Sequence, residues 1–191
     1  AGRVLAGSYV NVTLRDGGGI EKETINTGAD GDGNFWANFG EDIAPGDTVE
    51  VDTEGAFIVI EVMRIEGAVD ATTDTISGHV YDVAYPADVR GEVWVEDGPS
   101  VEVQTDGAGD YTVDFSPFDV RSGHTVGLWY IRPDGHEVGI VRSALFVRVY
   151  PTDDHVNGQT APNTVVDVSL CDGDGNLKGT GQTTSDENGN W

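Results

Sequence analysis

Along much of the chain, apolar and polar residues alternate with a period of two. Val10, Val12 and Leu14 are separated by Asn11 and Thr13, and Phe35, Ala37 and Phe39 by Trp36 and Asn38. Tyr111, Val113 and Phe115 alternate with Thr112 and Asp114, and Val166, Val168 and Leu170 with Asp167 and Ser169. Residues two apart share one face of a pleated strand, so each run predicts a half-buried β-strand. The denser apolar runs FIVIEV at 57–62 and ALFVRVY at 144–150 predict further strands, each closing a block of such elements. Pro or Gly interrupts every window long enough to hold a helical period, and the expected fold class is all-β.

The pattern repeats. Residues 1–35 align without a gap on residues 157–191 at an offset of 156, with 13 identities in 35 positions. Gly2 matches Gly158, the Val10/Val12/Leu14 strand matches Val166/Val168/Leu170, and Asp16-Gly17 matches Asp172-Gly173. Both copies run on to an Asp-x-x-Gly-Asn-aromatic turn, Asp30 to Phe35 and Asp186 to Trp191. A more divergent middle copy supplies its opening glycine at Gly78, its turn at Asp106 and its aromatic at Tyr111, which sets a unit of about 78 residues. That length, with a turn every ten residues or so, suits a seven-strand sandwich. The expected divisions are repeat 1 at 1–74, repeat 2 at 75–153 and an incomplete repeat 3, N-terminal strands only, at 154–191. Some 35 residues cannot bury a sandwich core alone, so repeat 3 is expected to be completed by further chain or by strands of another molecule.

The recurring motifs resemble a known family. Ile76-Ser77-Gly78, the run from Gly158 through Pro162 to Val166, the Asp-x-x-Gly-Asn-aromatic turn, and Asp42-Ile43 with Gly46-Asp47-Thr48-Val49 are similar to tandem bacterial immunoglobulin-like repeats of secreted and cell-surface proteins. The resemblance implies tandem immunoglobulin-like β-sandwiches serving as stalk, spacer, adhesin shaft or filament subunit. It implies an extracellular or cell-surface location and, as partners, copies of the chain or neighbouring repeats. It brings no catalytic residues.

Charge narrows the partners. Thirty-four acidic against ten basic side chains leave a net charge of -24, which repels nucleic acid and anionic lipid. No window of eighteen apolar residues occurs, so no transmembrane helix and no membrane insertion are expected. Cys171 is the single cysteine, which excludes an intrachain disulfide and a Cys-based zinc site. No secretory leader opens the chain, and any leader is expected to be removed or to lie outside the given residues.

Several constellations invite chemistry. Asp30, Asp32 and Asn34, and likewise Asp172, Asp174 and Asn176, space oxygen donors as a calcium loop does. Position six of the first such loop is Phe35 where the sharp bend wants glycine, so a hairpin turn is the competing and stronger reading. In the last copy, Asp186, Asn188 and Asn190 keep the same donors. Trp36 and Trp129 are candidates for a ligand platform or an interface, the former making a carbohydrate-binding accessory module the alternative function. Asn11-Val12-Thr13 is an N-glycosylation triplet with Asn11 expected on the outward face. Lys22 and Lys178 occupy matching positions and read as exposed lysines blunting a sheet edge. The four histidines show no metal spacing and no nucleophile motif accompanies them, so no enzyme activity is expected.

Overall fold

The computed structural model describes residues 2–160, 163–186 and 189–191, so Pro162 of the family motif and Asn188 of the last turn lie outside the described residues. Every regular element among them is a strand, all strand pairs are antiparallel, and no helix is present. The chain divides into two compact units, Ala1–Arg64 and Ile65–Trp191.

The first unit contains β1 (Gly2–Arg3), β2 (Tyr9–Arg15), β3 (Glu21–Gly28), β4 (Asn34–Phe35), β5 (Thr48–Thr53) and β6 (Ala56–Glu61). A four-stranded sheet runs β3-β2-β5-β6, and a small β1-β4 pair accompanies it. Register places Val12 opposite both Ile25 and Val51, so the alternation aims one apolar row inward. Val10, Val12, Phe35 and Val51 form the buried cluster, with Val4, Ala29, Ala37, Phe39 and Val49 packed against it.

The second unit opens with β7 (Ile65–Asp70), β8 (Thr75–Val80), β9 (Asp88–Val93), β10 (Ser100–Gln104), β11 (Asp110–Asp114), β12 (Thr125–Ile131) and β13 (Glu137–Ser143). These seven strands form a three-stranded sheet, β11-β8-β7, and a four-stranded sheet, β10-β9-β12-β13. Of the eleven largest fully buried side chains, Val10 and Leu14 lie in the first unit, and the other nine, Ile76, Val80, Val89, Val93, Val113, Phe115, Val120, Val126 and Leu128, lie here. The expected seven-strand sandwich is therefore realised in full by residues 65–143, a frame shifted from the expected repeat 2. After it come β14 (Phe146–Tyr150), β15 (His155–Gln159), β16 (Val165–Cys171) and β17 (Leu177–Thr184), arranged as two hairpins. None of the hydrophobic side chains of these last four strands is buried.

The strand pairing crosses the divisions expected from the repeat. β7 pairs with β8 from Ile65↔Val80 to Asp70↔Thr75, so a boundary after residue 74 falls in the turn of a hairpin. β14 pairs with β15 from Phe146↔Gln159 to Tyr150↔His155, and a boundary after residue 153 does the same. The motif that makes the repeat visible starts at the opening glycine, whereas the sheet starts one strand earlier. An alternating or apolar run does not declare its partner; tertiary packing assigns it.

Candidate functional site

Two motifs that the sequence places some 33 residues apart meet in every repeat. Gly2 pairs with Phe35, Gly78 with Tyr111, and Gly158 exchanges both backbone hydrogen bonds with Trp191. Each opening glycine leaves room for the aromatic ring that follows the turn. A Cβ on Gly2 would stand 2.5 Å from Phe35 Cε1, one on Gly78 would stand 2.7 Å from the Tyr111 hydroxyl, and one on Gly158 would stand 2.7 Å from Trp191 Cζ2. Glycine here is a socket: its missing side chain lets a large ring cover the sheet, and the alternation of Phe35 and Tyr111 makes that ring a core residue.

The turn that delivers the aromatic is the same each time. The Asp30 carboxylate accepts hydrogen bonds from the Asp32 and Asn34 amides, both at 2.9 Å, while Asp30 N–H donates to the Asn34 carbonyl at 2.9 Å. Asp106 receives the amides of Ala108, Gly109 and Asp110 at 2.8, 2.9 and 3.0 Å. Asp186 receives that of Asn190 at 2.8 Å, and the same turn without a following aromatic recurs at Asp172, the counterpart of Asp16, which receives the amides of Asp174 and Asn176 at 3.1 and 2.9 Å. Gly33, Gly109, Gly175 and Gly189 supply the positive φ that closes each turn. These amides hold the Asp30, Asp106 and Asp172 carboxyls below the ordinary carboxylate range, the Asn34, Ala108 and Asn176 amides being the largest cause in each.

The expected calcium residues take defined places in these turns. Asn34 directs its side-chain amide at both Asp30 oxygens, 3.4 and 3.3 Å away, and Asn176 does the same to Asp172 at 3.2 Å. Asp172 also meets Lys178 Nζ at 3.1 Å. The asparagines thus turn donors, not oxygens, toward the aspartates, and among the described residues no three His, Cys, Asp or Glu side chains gather around one point.

A polar clasp joins β7 to the rest of the middle sandwich. The buried Tyr111 hydroxyl donates to the Glu66 carbonyl, Tyr81 Oη donates to Glu66 Oε2 at 2.9 Å, and Arg142 Nε on β13 donates to the Gly67 carbonyl at 3.2 Å. Burial pushes the Tyr111 phenol well above its ordinary value and lowers Arg142. The sequence shows Tyr111 as a core aromatic, but its hydroxyl's role depends on a strand 45 residues earlier.

The remaining candidates disperse. Trp36 is 59 % exposed beside the buried Phe35, as the alternation requires, and has no aromatic partner among the described residues. Trp129 is partly buried on the outer face of β12, with Trp94 as neighbour. Asn11 is exposed on the outer face of β2, opposite Asn26 and Asp52. Lys22 differs from the exposed edge lysine expected: its ammonium donates to the Asp42 carbonyl and lies 2.9 Å from the buried Asp47, whose carboxylate also accepts the Ala44 amide. His79 Nδ1 lies 2.7 Å from Asp110, with the Tyr81 ring 4.2 Å from its own, centroid to centroid.

The architecture is that of tandem antiparallel sandwiches built on one repeated turn and socket. No family model matches the chain, and no curated protein does. Among solved structures, the chain is similar to a tetra-tandem repeat in the extending region of a large adhesion protein, with 23 % identity and a TM-score of 0.31 over 99 % of this chain. It covers 58 % of that structure's length. It is also similar to a structure from a 1.5-MDa bacterial ice-binding adhesin, with 16 % identity, a TM-score of 0.30, and coverage of 100 % of this chain and 76 % of that one. A third match is a Ca2+-stabilized adhesin of an Antarctic bacterium, at 17 % identity and a TM-score of 0.27, covering 100 % of this chain and 57 % of the other.

Proposed function

We propose that this chain is a non-enzymatic segment of an extracellular stalk, filament or adhesin, in which each repeat is a load-bearing bead. The observation that carries this reading is the repeated socket and turn, present in all three copies, together with connections of three residues, 62–64, between β6 and β7 and of two, 144–145, between β13 and β14. An array whose length is set by copy number needs only neighbour contacts. We take one bead to run from Ile65 to Ser143, beginning with the strand that the motif frame assigns to the preceding repeat.

In repeat 3, β16 pairs with β17 on one edge and, among the described residues, with no strand on the other, whereas its counterpart β9 has β10 and β12. Val156, Val168, Leu170 and Trp191 line an open hollow of about 520 Å³ there. A hairpin of the β12–β13 kind, from further chain or a second copy, completes this bead by strand addition.

Single-molecule force spectroscopy tests the load-bearing reading. The middle bead spans 79 residues from Ile65 to Ser143, so its rupture releases roughly 25 nm of extended chain. Extension without discrete ruptures would overturn the reading.

A further inference from the structure

We propose that the outer face of the four-stranded sheet in the middle bead, centred on Trp94 and Trp129, binds a neutral polysaccharide. Val93 and Leu128 are buried, so their neighbours Glu92, Trp94, Gly127 and Trp129 point outward. Trp129 lies flat on the sheet because its floor is glycine: a Cβ on Gly127 would stand 2.1 Å from Trp129 Cη2, and one on Gly139 2.5 Å from Cδ1. Its ring therefore occupies the space above Gly127, which is in register with Glu92 on one side and Val141 on the other. Trp94, 47 % exposed, meets it there with ring centroids 5.9 Å apart and planes inclined at 37°.

Chemistry around the two rings selects the occupant. An indole face is electron-rich and attracts the C–H face of a pyranose, while hydroxyls at the sugar's rim need acceptors and donors. Glu92 has no hydrogen-bond or ion-pair partner among the described residues, so its carboxylate is free to accept hydroxyl protons. Arg90, whose guanidinium carbon lies 5.0 Å over the Trp129 ring and is balanced by Glu137 at 2.8 Å, already fills the cation position there, so the exposed indole face offered to a sugar is that of Trp94, with Trp129 as its support. An organic cation is thereby disfavoured, and a net charge of -24 with Glu92, Glu102 and Glu137 on this face repels anionic polymers. A second copy is a poor occupant for the same reason of charge. With Trp94 47 % exposed and Trp129 partly buried, the two indoles offer well under the ~300–500 Å² that two whole aromatic side chains bury, far short of the roughly 800 Å² per partner that a stable protein interface needs.

The proposal is independent of load bearing and makes different demands. Affinity electrophoresis of the whole chain through gels containing hydroxyethylcellulose, galactomannan or dextran, with alginate as the anionic control, reads it directly. Retardation by at least one neutral polymer and none by alginate is expected. Trp94→Ala should weaken it roughly three- to tenfold, the effect of losing one aromatic contact. Trp129→Phe, which keeps a ring over the glycine floor, should weaken it in the same direction, and Trp36→Ala, in the other unit, should leave it unchanged. Failure of all three neutral polymers to retard the chain, or retardation equal in wild type, Trp94→Ala and Trp129→Phe, would overturn the proposal. So would a concentration-dependent dimer abolished by Trp94→Ala with no effect of sugar.

Discussion

Replacing Gly78 by alanine tests the socket most directly, because general chemistry and the structure predict opposite signs. A glycine inside a strand is ordinarily a weak point, and alanine there stabilises by about 0.5–1 kcal/mol through the unfolded chain's lost freedom. At Gly78 the new Cβ would stand 1.9 Å from the Glu66 carbonyl oxygen and 2.7 Å from the Tyr111 hydroxyl. Contact at that range is relieved only by moving β7, Tyr111 or both. Overpacking of this kind costs about 1–3 kcal/mol, and the Tyr111–Glu66 hydrogen bond lost in the shift adds about 1 kcal/mol. Set against the alanine gain, this leaves a net loss of about 2 kcal/mol, which corresponds to a melting temperature lowered by roughly 8–16 °C for a bead of this size. Scanning calorimetry of the whole chain, with Gly107→Ala as the control, measures it; Gly107 has nothing within 4 Å of its would-be Cβ. If Gly78→Ala melts with Gly107→Ala, the socket argument is wrong.

Tyr111→Phe keeps the ring and deletes its hydrogen bond to the Glu66 carbonyl, so urea unfolding should show a loss of about 1 kcal/mol with an unchanged m-value; no change would mean that the hydroxyl contributes nothing net. The Asp30, Asp106 and Asp172 carboxyls are held below the ordinary value of 3.8, so the folded state binds fewer protons there than the unfolded chain. Their contribution is present above that value and lost as pH falls through the lower folded values, and a melting temperature that holds steady down to pH 3 would contradict it. The Tyr111 phenol, raised from 10.0 by burial, works at the other end: its contribution is present below pH 10 and lost as pH rises further. Asp30→Asn retains an acceptor for the Asp32 and Asn34 amides, so the turn should survive with its melting temperature unaffected by calcium. A calcium-induced rise in wild type that Asp30→Asn abolishes would show a metal site instead.

Local features were the legible ones. The alternation around Val12 and Val113 places strands and faces correctly because one side of each is buried, and a period of two leaves no freedom about which. The turns at Asp30, Asp106, Asp172 and Asp186 carry their own chemistry, an aspartate that caps its own backbone and a glycine at positive φ, so they stand out wherever they occur. What stayed hidden depends on contacts between distant segments. Gly78 and Tyr111 are each conspicuous, yet nothing in either announces the other as its partner across the sheet. Trp94 directly follows β9 and Trp129 lies on β12, and only the pairing of those strands brings their rings together. Ile65–Asp70 looks like the end of one repeat because strand pattern does not encode the direction in which a hairpin turns.

That last hairpin has a consequence for how such arrays grow. With the bead proposed here, 65–143, a 78-residue cassette cut at the motif carries seven strands but not the seven of one bead: it holds the body of one and the leading edge of the next. In the interior of an array the offset is invisible, since each cassette repays its neighbour the strand that it borrowed. It surfaces only where the periodicity stops, so lengthening by whole cassettes is neutral inside the array while every termination must supply or conceal one strand.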